Sequence, residues 1–293
     1  MKNITINISL PKALLDAADK QAENELRNRS ELIREAVRDY LLKRGQENPT
    51  DAFTQTEHKR IDQFASDLDT ERKWIVLSLV YRPQPNRVKE IFGGESSPVT
   101  KLVEHPGGFR RMGWDLETLD RARPTAGEYL QVKNGIRKIL RVYRDGQVLF
   151  AGDEEFIGWN VSKDEEDKLF SVNALAASEL ITNFVRFGQN LSPYLDDRPS
   201  KMILKAGFHN PRKETVRLAL VQKSVLFPGA SSPEAIHGFT QEVSIPLTED
   251  FSLEKEGYKF LAEFFFLFNL REDEFWYVNK EAKEINLELF KDR

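Results

Sequence analysis

Ile4-Thr5-Ile6-Asn7-Ile8-Ser9-Leu10-Pro11 alternates apolar and polar residues without a break. Strand side chains have a period of two, so Ile4, Ile6, Ile8 and Leu10 share one face and Asn3, Thr5, Asn7 and Ser9 the other. Pro11 lacks an N–H to continue the pairing and suits the first turn of a helix. Leu14, Leu15, Ala18, Ala22 and Leu26 then recur at helical spacing. Ser30 is a good N-cap for a second helix with Leu32, Ile33, Ala36, Val37, Tyr40 and Leu41 on its apolar stripe. Glu31 complements the positive end of that helix, Lys43 and Arg44 its negative end, and Gly45 stops it.

A single copy of this segment leaves two strand edges open and buries too little apolar surface to offset chain entropy. Antiparallel pairing with a second copy closes one edge of each and lets four helices share a core. The isoleucine face then points inward, and the uncharged polar face becomes a two-stranded ribbon of the kind that enters a DNA major groove.

Residues 2–44 closely resemble the ribbon-helix-helix family of DNA-binding proteins, which includes the Arc and methionine repressors and the nickel-responsive regulator. The resemblance rests on the T-I-x-I-x-L-P strand, on Leu14-Leu15, and on R-S-E-L-I-R-E-A-V-R-D-Y-L at Arg29–Leu41. It implies that Thr5, Asn7 and Ser9 read bases. It also implies that Arg29, Ser30 and Glu31 open the second helix where a phosphate is held, and a helix N-terminus is physically suited to an anion. Many family members carry a glycine between the helices, where this chain has Asn24-Glu25-Leu26-Arg27-Asn28. Asn24 or Asn28 can take the left-handed conformation at modest cost.

Two plainer readings fit the same residues: an ordinary sheet edge with packing helices, or a module that only dimerises. The uncharged outward face favours base contact, because a solvated edge is usually guarded by lysine.

Composition confines the nucleic-acid reading to this segment. The 293 residues carry 43 Lys+Arg against 47 Asp+Glu, a net charge of −4. Nine basic and seven acidic side chains fall in residues 1–44, so any DNA-facing charge is local and the remainder is acidic. The chain has no cysteine, which removes disulfide and thiol chemistry. With no signal peptide and no apolar stretch of spanning length, a soluble, cytoplasmic protein without membrane partners is expected.

The expected organisation is a ribbon-helix-helix domain at 1–45, a linker with a short helix at 46–72, and a larger domain at 73–293. Gly45–Asp51 is polar and turn-rich, and Ile61, Phe64, Ala65 and Leu68 give Thr54–Arg72 a weak amphipathic stripe. Beyond it, Trp74–Tyr81, Glu128–Gln131, Ile136–Tyr143, Lys201–Phe208 and Val216–Gln222 read as strands, with a hairpin turn at Arg144-Asp145-Gly146-Gln147. Asn173–Phe187 reads as a helix with Leu175, Ala176, Leu180, Phe184 and Phe187 on its buried side, and Val278–Phe290 as a final charged helix. Strands and helices do not alternate regularly, which gives an α+β fold class. The stretch from Trp114 through Leu220 is similar, in its order of elements, to the C-terminal region found after a Schlafen-type AlbA domain in some bacterial proteins. That likeness carries no functional residue.

Chemical motifs are missing. No phosphate-binding, dinucleotide-binding or nucleophile-elbow pattern occurs, and His58, His105, His209 and His237 lack metal-ligand spacing. No catalytic residue, metal site or cofactor is assigned. The acidic runs Glu154-Glu155 and Asp164–Asp167 read as solvated surface. A glycine loop at His105–Trp114 places Arg110 and Arg111 beside a tryptophan, as a ligand loop for phosphate or nucleotide would; a solvated hairpin tip fits it too. Aromatics on all sides of Tyr258–Leu270 point to core or to an oligomer interface.

These readings converge on a sequence-specific transcriptional regulator, a repressor acting on double-stranded DNA as a homodimer or a dimer of dimers. Its larger domain would sense an unknown small ligand, bind a protein partner or direct assembly. The alternative is an antitoxin-like chain that grips a partner protein and represses its own operon.

Overall fold

The computed structural model describes residues 52–109, 113–118, 120–134, 137–158, 169–211, 215–222, 225–227 and 238–291. The chain divides into two units, 1–49 and 50–293, and the described residues all belong to the second, here called the body.

The body begins with helix α1 (Gln55–Ser66), followed by strand β1 (Trp74–Arg82) and helix α2 (Pro98–Glu104). Strands β2 (Arg123–Thr125), β3 (Tyr129–Asn134), β4 (Lys138–Tyr143) and β5 (Val148–Asp153) lead to the short helix α3 (Glu154–Ile157). Strand β6 (Leu169–Asn173), the long helix α4 (Ala174–Leu191), β7 (Lys201–His209), β8 (Thr215–Gln222) and β9 (Val225–Phe227) follow. The tail holds β10 (Gly238–Phe239), β11 (Val243–Pro246), helix α5 (Leu253–Phe266), β12 (Val278–Asn279) and β13 (Glu284–Ile285).

The main sheet runs β10-β7-β1-β5-β4-β3-β2, with β11 also on the outer edge of β7, and every pairing in it is antiparallel. β1 lies inside the sheet, and all nine of its residues are buried because helices cover both faces. Ile75, Leu77, Leu79 and Tyr81 join the core under α4 and α5. Trp74, Val76 and Val80 join a second core under α1. A smaller sheet pairs β6 with β8 in parallel and β8 with β9 antiparallel. The larger unit is thus a mixed helix/strand body, as the sequence pattern implies.

The hairpin at 144–147 closes as read from sequence. Gly146 N donates to Tyr143 O at 3.0 Å, and Gly146 takes φ +86°, which a side chain would resist. Helix α4 opens on Asn173, whose Oδ1 accepts from Leu175 N and Ala176 N at 3.0 and 3.1 Å. Its apolar surface is wider than one stripe: 14 of its 18 residues are buried, whereas Leu175, read as buried, is only half-buried. The buried hydroxyls are satisfied within the helix, Ser178 donating to Ala174 O and Thr182 to Ser178 O. At Gly188 the helix comes so near the sheet that an added Cβ would lie 2.3 Å from Leu79 Cδ1.

Two sequence readings need correction. The segment placed in a linker at 46–72 is body from Phe53 onward: Phe53, Ile61, Phe64 and Leu68 are buried against β1, β4, β5 and β7. The weak apolar stripe is enough because ion pairs reinforce it. Arg60 grips both carboxylate oxygens of Asp145 at 2.9 and 2.7 Å, and Arg141 donates to Asp67 at 2.8 Å. The second correction concerns Val278–Phe290, which is a two-stranded ladder of β12 and β13 followed by a 3-10 turn at Leu287–Phe290. Asn279 Oδ1 accepts from Ala282 N at 3.2 Å, Lys283 takes φ +53°, and the charged residues between are exposed. Such a stretch offers no apolar face to hold a helix down.

Candidate functional site

Glu179, Asn183 and Arg186 fall on one stripe of α4, four and three residues apart. Asn183 and Arg186 are tied to polar surroundings. Asn183 Nδ2 donates to Trp114 O at 3.0 Å. Arg186 donates to Asn183 Oδ1 at 2.9 Å and to Gly107 O at 2.7 Å, and its guanidinium lies 4.3 Å from the centre of the Phe109 ring. Phe109 in turn packs on Phe290, ring centres 5.4 Å apart. Both ends of the glycine loop are therefore stapled to the buried helix.

The far end of the loop is fixed from β4. Lys138 Nζ donates to Glu117 O and lies 3.5 Å from Asp115 Oδ1, while Asp115 Oδ1 accepts from Glu117 N at 3.0 Å. Trp114 Nε1 donates to Phe156 O at 3.0 Å, and Lys138 Nζ stands 5.0 Å from the Phe156 ring centre. His105 Nδ1 meets Glu117 Oε1 at 2.9 Å on the outside.

Burial sets the electrostatics. It pushes the Asp115 carboxyl up from its ordinary value, against the opposing pull of Lys138. It pushes the Lys138 ammonium down, against Asp115, and the Arg186 guanidinium down, against Asp115 and Glu179. Opposite charges thus alternate through the cluster and hold the loop, and among the described residues no nucleophile is paired with a base there. A cleft of about 520 Å³ opens beside it, with His105, Asp120 and Arg121 on its walls.

A pH test follows from Asp115. Its folded value lies above that of the unfolded chain, so the folded state takes up the proton first as pH falls. Wild type should therefore gain stability relative to Asp115→Asn as pH drops from neutral through the raised value toward that of an ordinary carboxylate. Melting temperatures of the two proteins across that range check this; a gap that moves against wild type would contradict it.

The first contacts of the body are equally well fixed. Arg82, at the end of β1, and Glu57, in the first turn of α1, are 3% and 2% exposed. Arg82 Nη1 donates to Glu57 Oε1 at 3.0 Å and Nη2 to Oε2 at 2.6 Å; Nη2 also reaches Ala52 O at 2.5 Å. Glu57 Oε2 accepts from Thr54 N at 2.6 Å, closing a capping box with Thr54. Nearby, Glu242 accepts from Phe53 N at 3.1 Å and lies 3.4 Å from Lys205 Nζ. The residues that lead into the body from the N-terminal side are clamped from Ala52.

Of the residues singled out from sequence, Thr5, Asn7, Ser9, Arg29, Ser30 and Glu31 lie outside the described residues, as do Arg110, Arg111 and the acidic run Asp164–Asp167. Glu154, half-buried, and Glu155, exposed, form the first turn of α3, paired with Lys73 and with Arg72 and Arg137 respectively. Asp115, Lys138, Asn183, Arg186, Glu57 and Arg82 escaped sequence reading because their fixing contacts run across long separations; Glu57 alone had a local signal, the Thr54-x-x-Glu57 capping box. Among the described residues, no group of His, Asp and Glu is placed to hold a metal ion, and no helix is long and apolar enough to cross a membrane.

Residues 4–44 match the model of the ribbon-helix-helix protein family, copG family. No curated protein and no solved structure matches the chain. The match does not extend to Trp114–Leu220.

Proposed function

We propose that the chain is a dimeric, sequence-specific DNA-binding regulator of transcription, most simply a repressor, whose body senses a ligand or directs assembly. The ribbon-helix-helix match at residues 4–44 carries this reading; the family joins DNA-binding regulators and antitoxins. The uncharged polar strand face supports it physically. In the proposed mechanism two copies pair their strands, and Thr5, Asn7 and Ser9 of each reach base edges in the major groove. Backbone N–H groups at Arg29-Ser30-Glu31 hold a phosphate and set the register. A two-fold reader requires a two-fold target. Selection of the full chain on random duplexes should therefore enrich inverted half-sites. Enrichment of a lone half-site would remove the dimer, and no enrichment would remove specific recognition.

A second reading, an antitoxin-like chain holding a partner protein, draws on the tail of the body. There Phe266 and Leu289, 43% and 40% exposed, would give such a partner apolar side chains to pack on. It would displace the first if Phe266→Ser abolished binding to a co-purifying protein while the full chain showed no preference among duplexes.

A further inference from the structure

Helix α4 ends in a cleft of about 550 Å³, within the range of small-molecule sites. Gln189 and Asn190 from the last turn of α4, Tyr194 from the following 3-10 turn (Ser192–Tyr194), and Thr248 from the turn after β11 face it. Leu102 of α2 and Phe251 supply apolar wall. The cleft is thus assembled from three separate stretches of the chain: α2, the end of α4 with its 3-10 turn, and the turn after β11.

Two features define its chemistry. Gln189, Asn190, Tyr194 and Thr248 make no side-chain hydrogen bond to any described residue. Two amides and two hydroxyls are therefore available to a ligand as both donors and acceptors. Among the described residues, no charged side chain lines the cleft. The C-terminal end of α4 adds partial negative charge, which favours hydroxyl donors and opposes anions. The exposed Glu249 and Asp250, next in the chain after Thr248, oppose them further.

We propose that this cleft binds a compact, neutral, hydroxyl-rich molecule, a free sugar or a nucleoside, through the Gln189 and Asn190 amides and the Thr248 and Tyr194 hydroxyls. The site needs neither the N-terminal module nor DNA, so it stands or falls apart from the proposed regulatory function.

The test uses the full chain with no DNA present. D-glucose, N-acetyl-D-glucosamine and uridine are titrated to about 10 mM, a range that captures weak association, while the Gln189 and Asn190 side-chain amide signals are followed by NMR. Those signals are identified by their loss in Gln189→Leu and Asn190→Ala. At least one probe should shift both signals saturably, and which probe does so separates sugar from nucleoside. Its phosphorylated counterpart, glucose 6-phosphate, N-acetylglucosamine 6-phosphate or uridine 5′-monophosphate, should bind about tenfold more weakly or worse. Gln189→Leu and Thr248→Ala should each weaken the neutral probe by about tenfold with the fold intact, as expected when a hydrogen bond to a ligand is lost. The proposal is overturned if no neutral probe saturates either signal. It is equally overturned if the phosphorylated form binds as well, or if both substitutions leave the affinity unchanged.

Discussion

Arg82→Met is expected to destabilise the body by about 3–5 kcal/mol, the cost of leaving a buried charge without its partner. Arg82 and Glu57 are both almost fully shielded from water, and their two hydrogen bonds of 3.0 and 2.6 Å are the means by which β1 holds the first turn of α1. Methionine preserves the packing of the stem but abandons the Glu57 carboxylate, which keeps only Thr54 N as a donor. For a unit of this size the loss corresponds to a fall in Tm of roughly 10 °C. The double variant Glu57→Gln with Arg82→Met should recover part of it, because removing both charges removes the unpaired one. A drop of under about 1 kcal/mol for Arg82→Met would show that water reaches the pair and that α1 is held by its apolar stripe alone.

Phe264→Ala should cost a comparable amount, about 3–5 kcal/mol. Its ring is fully buried on α5 and stands 5.8 Å from Phe208 and 5.4 Å from Phe268, so truncation opens a cavity between helix and sheet that rigid neighbours cannot fill. Two positions on, Phe266 is 43% exposed, and Phe266→Ala should cost under about 1 kcal/mol. Denaturant melts of the two variants compare the positions directly. Equal losses would mean that the aromatic run is not divided into a core face and a surface face.

The two substitutions mark where sequence was informative and where it was not. Strands β1, β4, β7 and β8 and helix α4 were legible because long apolar runs and cap residues act locally: Asn173 caps α4 whatever lies beyond it, and Gly146 closes its turn on residues one and three away. The sheet order β10-β7-β1-β5-β4 was not legible, since nothing near Trp74 specifies that His209 and Asp153 become its neighbours on either side. The stripe Ile61-Phe64-Leu68 was visible, but not the sheet face it covers. Its fastening, Arg82 to Glu57, spans 25 residues. The tail misled for a physical reason: Val278 and Ile285 lie seven apart, two helical turns, while the exposed residues between them make a tight return. In the loop at 105–114 the glycines were conspicuous. The residues that fix the loop, Asn183 and Arg186, look in sequence like ordinary polar positions on a helix.

The central claim is that the N-terminal strand reads DNA, and a binding titration tests it most directly. The purified full chain is titrated, at one fixed salt concentration, against the duplex upstream of its own coding sequence with an unrelated duplex as competitor, and Asn7→Ala is run beside it. Tight, competitor-resistant binding that Asn7→Ala weakens about tenfold, near 1.4 kcal/mol, is the predicted result. Holding salt fixed separates that loss from the phosphate contacts, which the substitution leaves in place. Binding that Asn7→Ala leaves unchanged, or no affinity for any duplex, would contradict the account and leave the module as a device for dimerisation.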